Sequence, residues 1–196
     1  MNTRPLRFLL PLLALALSLP VAAQAQTRTS TAHHADGQDG ALRLGLFVGP
    51  EFASGETGVA VRGDLSTVLT QLAPNVRLDG VLSLGYTHFS LGASDFDATV
   101  NLVRLVPTAR FVFPVASKVA LYGDAGMGLY FGSASYGSVF NRASSNLFGL
   151  NMRFAGGAMF DVAPNVRLGA ELGVNPYFGD FDQTTTTLMF AAQFRL

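Results

Sequence analysis

The chain has 196 residues, of which 49 % are hydrophobic and 13 % are charged, and its formal net charge at pH 7 is zero. A soluble domain normally carries about twice that charged fraction. The chain has no Cys, which excludes disulfides and thiolate metal sites. Beyond its N-terminal segment, no apolar run is long enough for a membrane-spanning helix.

The N-terminal segment has the composition of a secretory signal. Two arginines precede an apolar stretch from Phe8 to Leu19, and Ala23-Gln24-Ala25 offers a small-residue cleavage site. Because the stretch is too short to span a bilayer, residues 1–25 are predicted to be a cleaved signal peptide. The polar residues 26–40 have no apolar periodicity and are predicted to form a flexible periplasmic arm.

From Ala41 onwards, apolar residues occupy every second position within eight segments, and this period is typical of β-strands. The predicted strands cover residues 41–49, 58–70, 76–88, 99–113, 119–131, 147–161, 166–178 and 185–196. Short turns at 71–75, 114–118 and 162–165 alternate with longer connections at 50–57, 89–98, 132–146 and 179–184. Membrane barrels show this asymmetry between short periplasmic turns and longer outer loops.

Every charged residue of these segments lies on the opposite side of the alternation from the apolar residues. The thirteen are Arg43, Arg62, Asp64, Arg77, Asp79, Arg104, Arg110, Asp124, Arg153, Asp161, Arg167, Glu171 and Arg195. One face of each strand is therefore uncharged, and the other carries charges of both signs. Apolar side chains outside and charges inside are the pattern of a barrel in lipid. Residues 41–196 are thus predicted to form an all-β, eight-stranded antiparallel transmembrane β-barrel.

Aromatic residues of the uncharged face cluster near the strand ends. Tyr86, Phe131, Phe148 and Phe178 are predicted at the outer rim, and Phe113, Phe160 and Phe194 at the inner rim. Such girdles mark the two membrane interfaces, although this chain contains no Trp.

A short motif recurs along the predicted barrel. Ala-Pro-Asn-Val-Arg-Leu occurs at 73–78 and at 163–168, and the looser Ala-Ser-Lys-Val-Ala-Leu at 116–121 lies between them. One such period holds two strands, a short turn and a longer loop, which is one hairpin of a barrel.

The alternation, the turn and strand at 114–126 and the C-terminal strand resemble the small eight-stranded outer-membrane barrels, the group that contains the OmpA barrel, OmpX and OmpW. In that group the assembly machinery reads an alternating last strand that ends in an aromatic residue. Here Phe190 and Phe194 alternate correctly, but the last residue is Leu196. The resemblance implies the outer membrane of a Gram-negative cell, contact with its lipids and lipopolysaccharide, and the barrel-assembly machinery as a partner during biogenesis.

The inward charges are expected to pair, because an eight-stranded barrel is barely wide enough for its own side chains. The predicted lumen network consists of Arg43, Arg62, Asp64, Arg77, Asp79, Arg104, Arg110, Asp124, Arg153 and Glu171. The pair Arg62 with Asp64 and the pair Arg77 with Asp79 are predicted on two adjacent strands. Asp124 and Glu171 are expected to meet Arg104, Arg110 or Arg153. The alternative is an ion gate, in which the pairs exchange partners to open a thin path.

Three motifs carry a possible chemistry. Residues 123–128 lack the order of a dinucleotide loop, and their inward glycines are expected to leave room for large side chains across the lumen. His33-His34 supplies too few ligands for a metal site. His88-Phe89-Ser90 resembles the membrane-facing serine and histidine of the lipid A deacylases. However, Leu91 replaces the Asn that follows the serine in that family, and the only acids nearby are Asp95 and Asp97.

The predicted outer loops carry six acids against one arginine, a sum of −5. The acids are Glu51, Glu56, Asp95, Asp97, Asp180 and Asp182. They suit divalent cations that bridge lipopolysaccharide, or simply keep the loops solvated. We expect a structural or surface-interaction role in the outer membrane, with no catalysis, cofactor, metal or nucleic-acid partner. The alternatives are an OmpW-like conduit for small apolar molecules and, less favoured, a lipid A deacylase-like esterase.

Overall fold

The computed structural model describes residues 42–93, 96–138 and 141–196. The predicted signal peptide (1–25) and arm (26–40) lie outside the described residues. Eight strands make up almost all of the described chain. They are β1 (Arg43–Ala53), β2 (Glu56–Ala73), β3 (Val76–Ala93), β4 (Phe96–Ala116), β5 (Val119–Ser138), β6 (Asn141–Ala163), β7 (Val166–Gly179) and β8 (Thr184–Arg195).

Each strand pairs antiparallel with its neighbours along the chain, and β1 pairs with β8, so the sheet closes into a barrel. Closure satisfies the backbone hydrogen bonds of the wall, which a strand in lipid requires. Beside the β1–β8 pairing, the Leu196 amide donates to the Leu42 carbonyl at 3.0 Å. The described residues include no helix that is long and apolar enough to cross a membrane. The predicted fold class, an eight-stranded antiparallel transmembrane barrel, is confirmed.

The two faces of the wall differ as the alternation predicts. The outward side chains are large and apolar, and Leu84 on β3 is 59 % exposed, whereas Arg62 and Asp64 on β2 are 3 % and 0 % exposed. Two buried clusters fill the lumen beside the charges. The outer cluster contains Ala53, Phe89, Val100, Leu102, Tyr130, Ala134, Leu147 and Tyr177. The inner cluster contains Phe47, Ala60, Val112, Tyr122, Met159, Met189 and Ala191.

Inward glycines make room for the largest of these side chains. Tyr122 on β5 lies opposite Gly157 on β6, and Tyr130 lies opposite Gly149. A Cβ atom at Gly157 or Gly149 would approach the facing tyrosine to 2.6 or 2.7 Å. The room for each tyrosine is therefore on the adjacent strand, where a glycine has no side chain to meet the ring.

Gly126 and Gly128, which were singled out in the sequence, have a different role from the glycines that face tyrosines. A Cβ atom at these positions would meet backbone oxygens of β4, at 2.6 Å from Pro107 and 2.0 Å from Leu105. The β4–β5 register is interrupted at this height, beside Pro107. Because proline cannot donate to the ladder, two pairs of the β4–β5 ladder are missing here, while the register is the same on both sides of the gap. The expectation of room across the lumen was wrong for this pair.

The strands extend further at their outer ends than predicted, and some strands extend further than others. The segments 50–57, 89–98 and 132–146, predicted as loops, are mostly strand. β1 and β2 are joined by Ser54 and Gly55 alone, both with positive φ (45° and 93°), as a tight hairpin turn requires. β3, β4, β5 and β6 continue well past the aromatic positions of the outer rim, so one side of the wall is tall and the other low.

The three periplasmic turns share one construction, which accounts for the repeated motif. Each turn has two residues, at 74–75, 117–118 and 164–165. Immediately before each turn the register shifts by one residue, between Gln71 and Ala73, Pro114 and Ala116, and Asp161 and Ala163. The extra residue of each β-bulge is Leu72, Val115 or Val162, exposed by 53 %, 57 % and 56 %.

Candidate functional site

Six charged side chains from five strands meet at the centre of the lumen and form a closed circuit, which we call the charge ring. β2 contributes Arg62 and Asp64, β4 Arg110, β5 Asp124, β6 Arg153 and β7 Glu171. Each member is inward because it shares the parity of its strand's charged face. Signs alternate around the ring, so its formal charge sums to zero.

The contacts of the charge ring are short on every side. Arg62 contacts Asp64 at 2.8 Å and Glu171 at 2.9 Å. Arg110 contacts Asp64 at 3.0 Å and Asp124 at 2.8 Å. Arg153 closes the circuit, at 3.4 Å from Asp124 and 2.7 Å from Glu171. Every member therefore has two partners of opposite charge, which is the arrangement that offsets the large desolvation cost of a buried charge.

Neutral groups hold the charge ring in place. The Ser83 hydroxyl donates to Asp64 at 2.8 Å, and the Tyr122 hydroxyl donates to Glu171 at 3.0 Å. The Arg62 guanidinium lies 3.8 Å from the centre of the Phe47 side chain, within cation–π range. These contacts tie β1, β3 and the inner apolar cluster to the five strands that carry the charges.

A second ionic site lies nearer the outer end, around Glu51. Arg104 donates to both carboxylate oxygens of Glu51, at 2.7 and 3.2 Å, and Thr87 donates at 2.7 Å. Tyr177 donates to Glu51 at 3.2 Å, and Thr185 also donates to it. Glu51 is fully buried. Its placement among the acidic loop residues was wrong, because β1 continues past Pro50 and turns this side chain into the lumen.

Aromatic side chains cover the outer ionic site. Phe181, in the β7–β8 connection, lies 5.2 Å from the centre of Tyr177 and 6.2 Å from Phe89. The backbone amide of Phe181 donates to the Tyr130 hydroxyl at 2.7 Å. Asp180 of the same connection accepts from the Phe148 amide at 3.0 Å. The connection is thus hydrogen-bonded to β5 and to β6.

The predicted periplasmic end of the lumen, beside the short turns, has fewer ionic contacts. Asp79 accepts from Arg77 at 2.7 Å and lies 3.5 Å from Arg43, and Asp161 pairs with Arg167 at the rim. Arg195 ends β8 on the same level. A cavity of about 20 Å³ lies beside Arg77, Asp79 and Arg110, which is room for about one water molecule.

The structure places the ten residues of the predicted lumen network as follows. Nine are buried, and Arg77 is partly buried. Arg62 pairs with Asp64 on β2 and Arg77 pairs with Asp79 on the adjacent β3, each pair two residues apart within its strand. Asp124 and Glu171 meet Arg110 and Arg153, whereas Arg104 meets Glu51. Tyr122, Tyr177, Phe47 and Phe181 were not singled out from the sequence. Of these, Tyr122 lies opposite a glycine, Gly157, and an inward aromatic residue opposite a glycine is a usable signal.

The predicted girdle residues all point outward. Their exposed fractions run from 38 % to 53 %, for Tyr86, Phe113, Phe131, Phe148, Phe160, Phe178 and Phe194. Phe131 and Phe148 lie side by side on neighbouring strands, with ring centres 5.1 Å apart. Of the proposed assembly signal, Phe190 is 65 % exposed and Leu196 is 71 % exposed.

His88 faces outward, and its hydrogen-bond partner is an amide. Its Nδ1 lies 2.8 Å from the Asn101 side-chain oxygen, which also accepts from the Tyr86 hydroxyl at 2.8 Å. A serine nucleophile needs a histidine that is oriented by an acid, and here Asn101 occupies that position. Asp95 and the side chain of Asp97 lie outside the described residues. Among the described residues, no group of three or more potential ligands could hold a metal ion.

Comparison with known proteins bears on the fold. No protein-family model matches the chain, and no curated protein shows significant similarity to it. Among solved structures, the Neisserial surface protein A superposes on 80 % of this chain and 96 % of its own, with a TM-score of 0.56 and 17 % identity. The fold is that of the small eight-stranded outer-membrane barrels.

Two further solved structures resemble this outer-membrane-type barrel. A de novo designed transmembrane β-barrel aligns with 82 % of this chain and 98 % of its own, at a TM-score of 0.50 and 17 % identity. The outer membrane enzyme PagL aligns with 79 % of this chain and 99 % of its own, at a TM-score of 0.49 and 17 % identity. Likeness at this level says nothing about activity.

Proposed function

We propose that this chain is an outer-membrane protein with a surface-interaction role, in which the barrel is a closed anchor and the tall side of the wall is the interacting part. The observation that carries the proposal is the four-stranded sheet β3–β6, which continues outward after β7 and β1 have ended. Tyr86 lies at the predicted outer rim, and β3 runs seven residues further, to Ala93. Seven residues of strand extend roughly 20 Å.

The lumen supports an anchor over a conduit. A small apolar molecule would have to pass the buried Glu51–Arg104 site and then the charge ring. It would displace the paired charges from their partners, at a cost of several kcal/mol for each buried charge that is left alone. Phe181 packs against the outer apolar cluster, and the inner half of the lumen holds the buried side chains of Phe47, Tyr122, Met159 and Met189.

The β6 edge of the tall sheet is the part best suited to a partner. The register of β6 with β7 begins at Gly149 and Gly179. Phe148 directs its amide and carbonyl towards the β7 side, where they bond to Asp180. Because hydrogen-bonding direction alternates along an antiparallel strand, Asn146 and Ser144 direct their amides and carbonyls to the same side, where no strand of the described residues pairs with them.

An edge of this kind fits an extended polypeptide. Strand addition uses the free main-chain groups for affinity, and side chains on alternate positions for specificity. Natural edges are usually protected by lysine, proline or a bulge, and the edge at residues 143–147 (Ala-Ser-Ser-Asn-Leu) contains none of these. The partner class is therefore an extended peptide segment of a protein outside the cell.

The proposal also includes the route to the membrane. Residues 1–25 would be removed on export, the barrel-assembly machinery would read the last strand despite Leu196, and the barrel would stand among outer-membrane lipids and lipopolysaccharide. The outer-membrane placement is supported by the Neisserial surface protein that shares the fold.

The test selects peptides from a display library of random linear sequences against the barrel in lipid nanodiscs. Asn146→Pro removes one edge amide, whereas Asn146→Ala keeps it and serves as the matched control. Peptides that bind the wild type and Asn146→Ala but not Asn146→Pro would support the proposal. Equal binding to both variants, or no enrichment over nanodiscs without protein, would contradict it.

A further inference from the structure

Four aliphatic side chains stand exposed at the periplasmic rim, one at every second junction between strands. Three are the extra residues of the bulges, Leu72, Val115 and Val162, and the fourth is Leu196 at the β8–β1 junction, exposed by 71 %. We call these four residues the aliphatic collar. Among the large outward side chains they are at the more exposed end, since Phe113 and Phe160 on the same strands are 40 % and 50 % exposed.

The bulges put the collar on the outer side of the wall. Val115 and Val162 continue the outward rows of Phe113 and Phe160, two residues further towards the periplasm. After the bulge, Ala116 and Ala163 lie opposite Val119 and Val166, which begin the outward rows of the next strands. Each turn therefore presents a small apolar surface that is continuous with the face that contacts lipid.

The residue types at the three bulge positions indicate that their neighbour is apolar. A bulge at an exposed turn tolerates polar residues, yet all three extra residues are Leu or Val, while each turn contains at least one polar residue (Pro-Asn, Ser-Lys and Pro-Asn). An apolar side chain two residues below an aromatic girdle, followed at once by polar groups, matches the boundary between acyl chains and headgroups. Lys118 has the length to reach a lipid phosphate from its turn.

We propose that the aliphatic collar inserts into the periplasmic leaflet of the bilayer, at the boundary between acyl chains and headgroups, and that its partner is lipid. The proposal uses the transmembrane barrel but not the surface role of the tall sheet. The collar extends the lipid-facing surface without a break and has no charged residue within its rows.

The absence of Trp from the chain allows a direct test. Val115→Trp and Val162→Trp each introduce a single indole, and because both positions are exposed the barrel has room for it. Leu84→Trp, in the middle of the lipid face, reports whether the barrel has inserted, and Ser117→Trp, in the turn itself, is the matched aqueous control. Each variant is refolded into phosphatidylcholine vesicles with acyl chains brominated either near the ester or near the terminal methyl.

The collar variants should show blue-shifted emission and lose most fluorescence to bromines near the ester. Leu84→Trp should be quenched by the deeper bromines, and Ser117→Trp mainly by aqueous iodide. Collar variants that behave like Ser117→Trp, while Leu84→Trp is quenched by lipid, would overturn the proposal. Protection from both quenchers that grows with the protein-to-lipid ratio would also overturn it, because a second copy of the chain would then cover the collar.

Discussion

Removing one acid from the charge ring should destabilise the barrel far more than removing an acid from its rim. Glu171→Gln keeps the length of the side chain but removes its charge. The Glu171 side chain is fully buried and contacts Arg62 and Arg153 at 2.9 and 2.7 Å. The ring would then hold three arginines against two acids, with a net charge of +1.

The magnitude follows from the lost contacts. A hydrogen bond to a charged group contributes about 1.5–3 kcal/mol, and breaking a buried ion pair costs about 3–5 kcal/mol. Because the glutamine oxygen can still accept from one arginine, we expect a loss of about 3–5 kcal/mol rather than the full sum. Asp161→Asn is the matched control, since that pair is 29 % and 39 % exposed and such pairs contribute roughly 0–1 kcal/mol.

The assay is urea unfolding in phosphatidylcholine vesicles, followed by far-UV circular dichroism and by the mobility shift of the folded barrel on unheated gels. Adding Arg62→Met to Glu171→Gln restores neutrality, so the double variant should be more stable than the sum of the two single losses by about 1–3 kcal/mol. Equal losses for Glu171→Gln and Asp161→Asn would refute the reasoning, as would simple additivity in the double variant.

Four further outcomes can be checked. Leu84→Arg, at the middle of the lipid face, should cost roughly 2–4 kcal/mol in the same unfolding assay, and Leu42→Arg near the rim much less; equal tolerance would contradict a membrane barrel. Gly157→Val should cost about 1–3 kcal/mol, because the new side chain overlaps the facing tyrosine, while Gly63→Val, with no atom within 4 Å of its added Cβ, should be nearly neutral. In planar bilayers the purified barrel should give closed or very small events, since its lumen is filled; large, stable steps would mean that the packing is wrong. Lipid A incubated with the barrel should keep all its acyl chains, and a deacylation that disappears in Ser90→Ala would make the chain an esterase.

The alternation was enough to predict every strand and the direction of its side chains within the membrane. It failed where the strands leave the lipid. Beyond the bilayer the outward face of the sheet no longer contacts lipid, so the outward apolar rows stop and Gly and Ser are frequent, as in residues 132–146. Those residues were predicted as a loop although β5 and β6 pair through most of that segment. Glu51 was misplaced for the same reason.

The pairing of charges could be predicted only in outline. Parity identifies which residues enter the lumen, but the partner of each depends on the stagger between strands and on contacts across the barrel. Arg62 and Glu171 lie on β2 and β7, which share no ladder, and meet only because the lumen is narrow. Arg104 pairs with Glu51 because β1 continues beyond the predicted strand 41–49 and brings Glu51 into the lumen. Neither contact can be predicted from the spacing of the residues in the sequence.

The bond between the Leu196 amide and the Leu42 carbonyl means that the two ends of the barrel are already neighbours. In a closed barrel every strand has two neighbours, so no strand is first or last by its pairing. The present chain order is one of several orders in which the same eight strands could be connected. A short peptide joining residues 196 and 42, with new ends opened between Ser54 and Gly55, would keep every strand between its present partners. The order of synthesis and the final architecture are thus separable in this molecule, and a circular permutant would reveal whether assembly needs β8 to emerge last or needs only that the circle close.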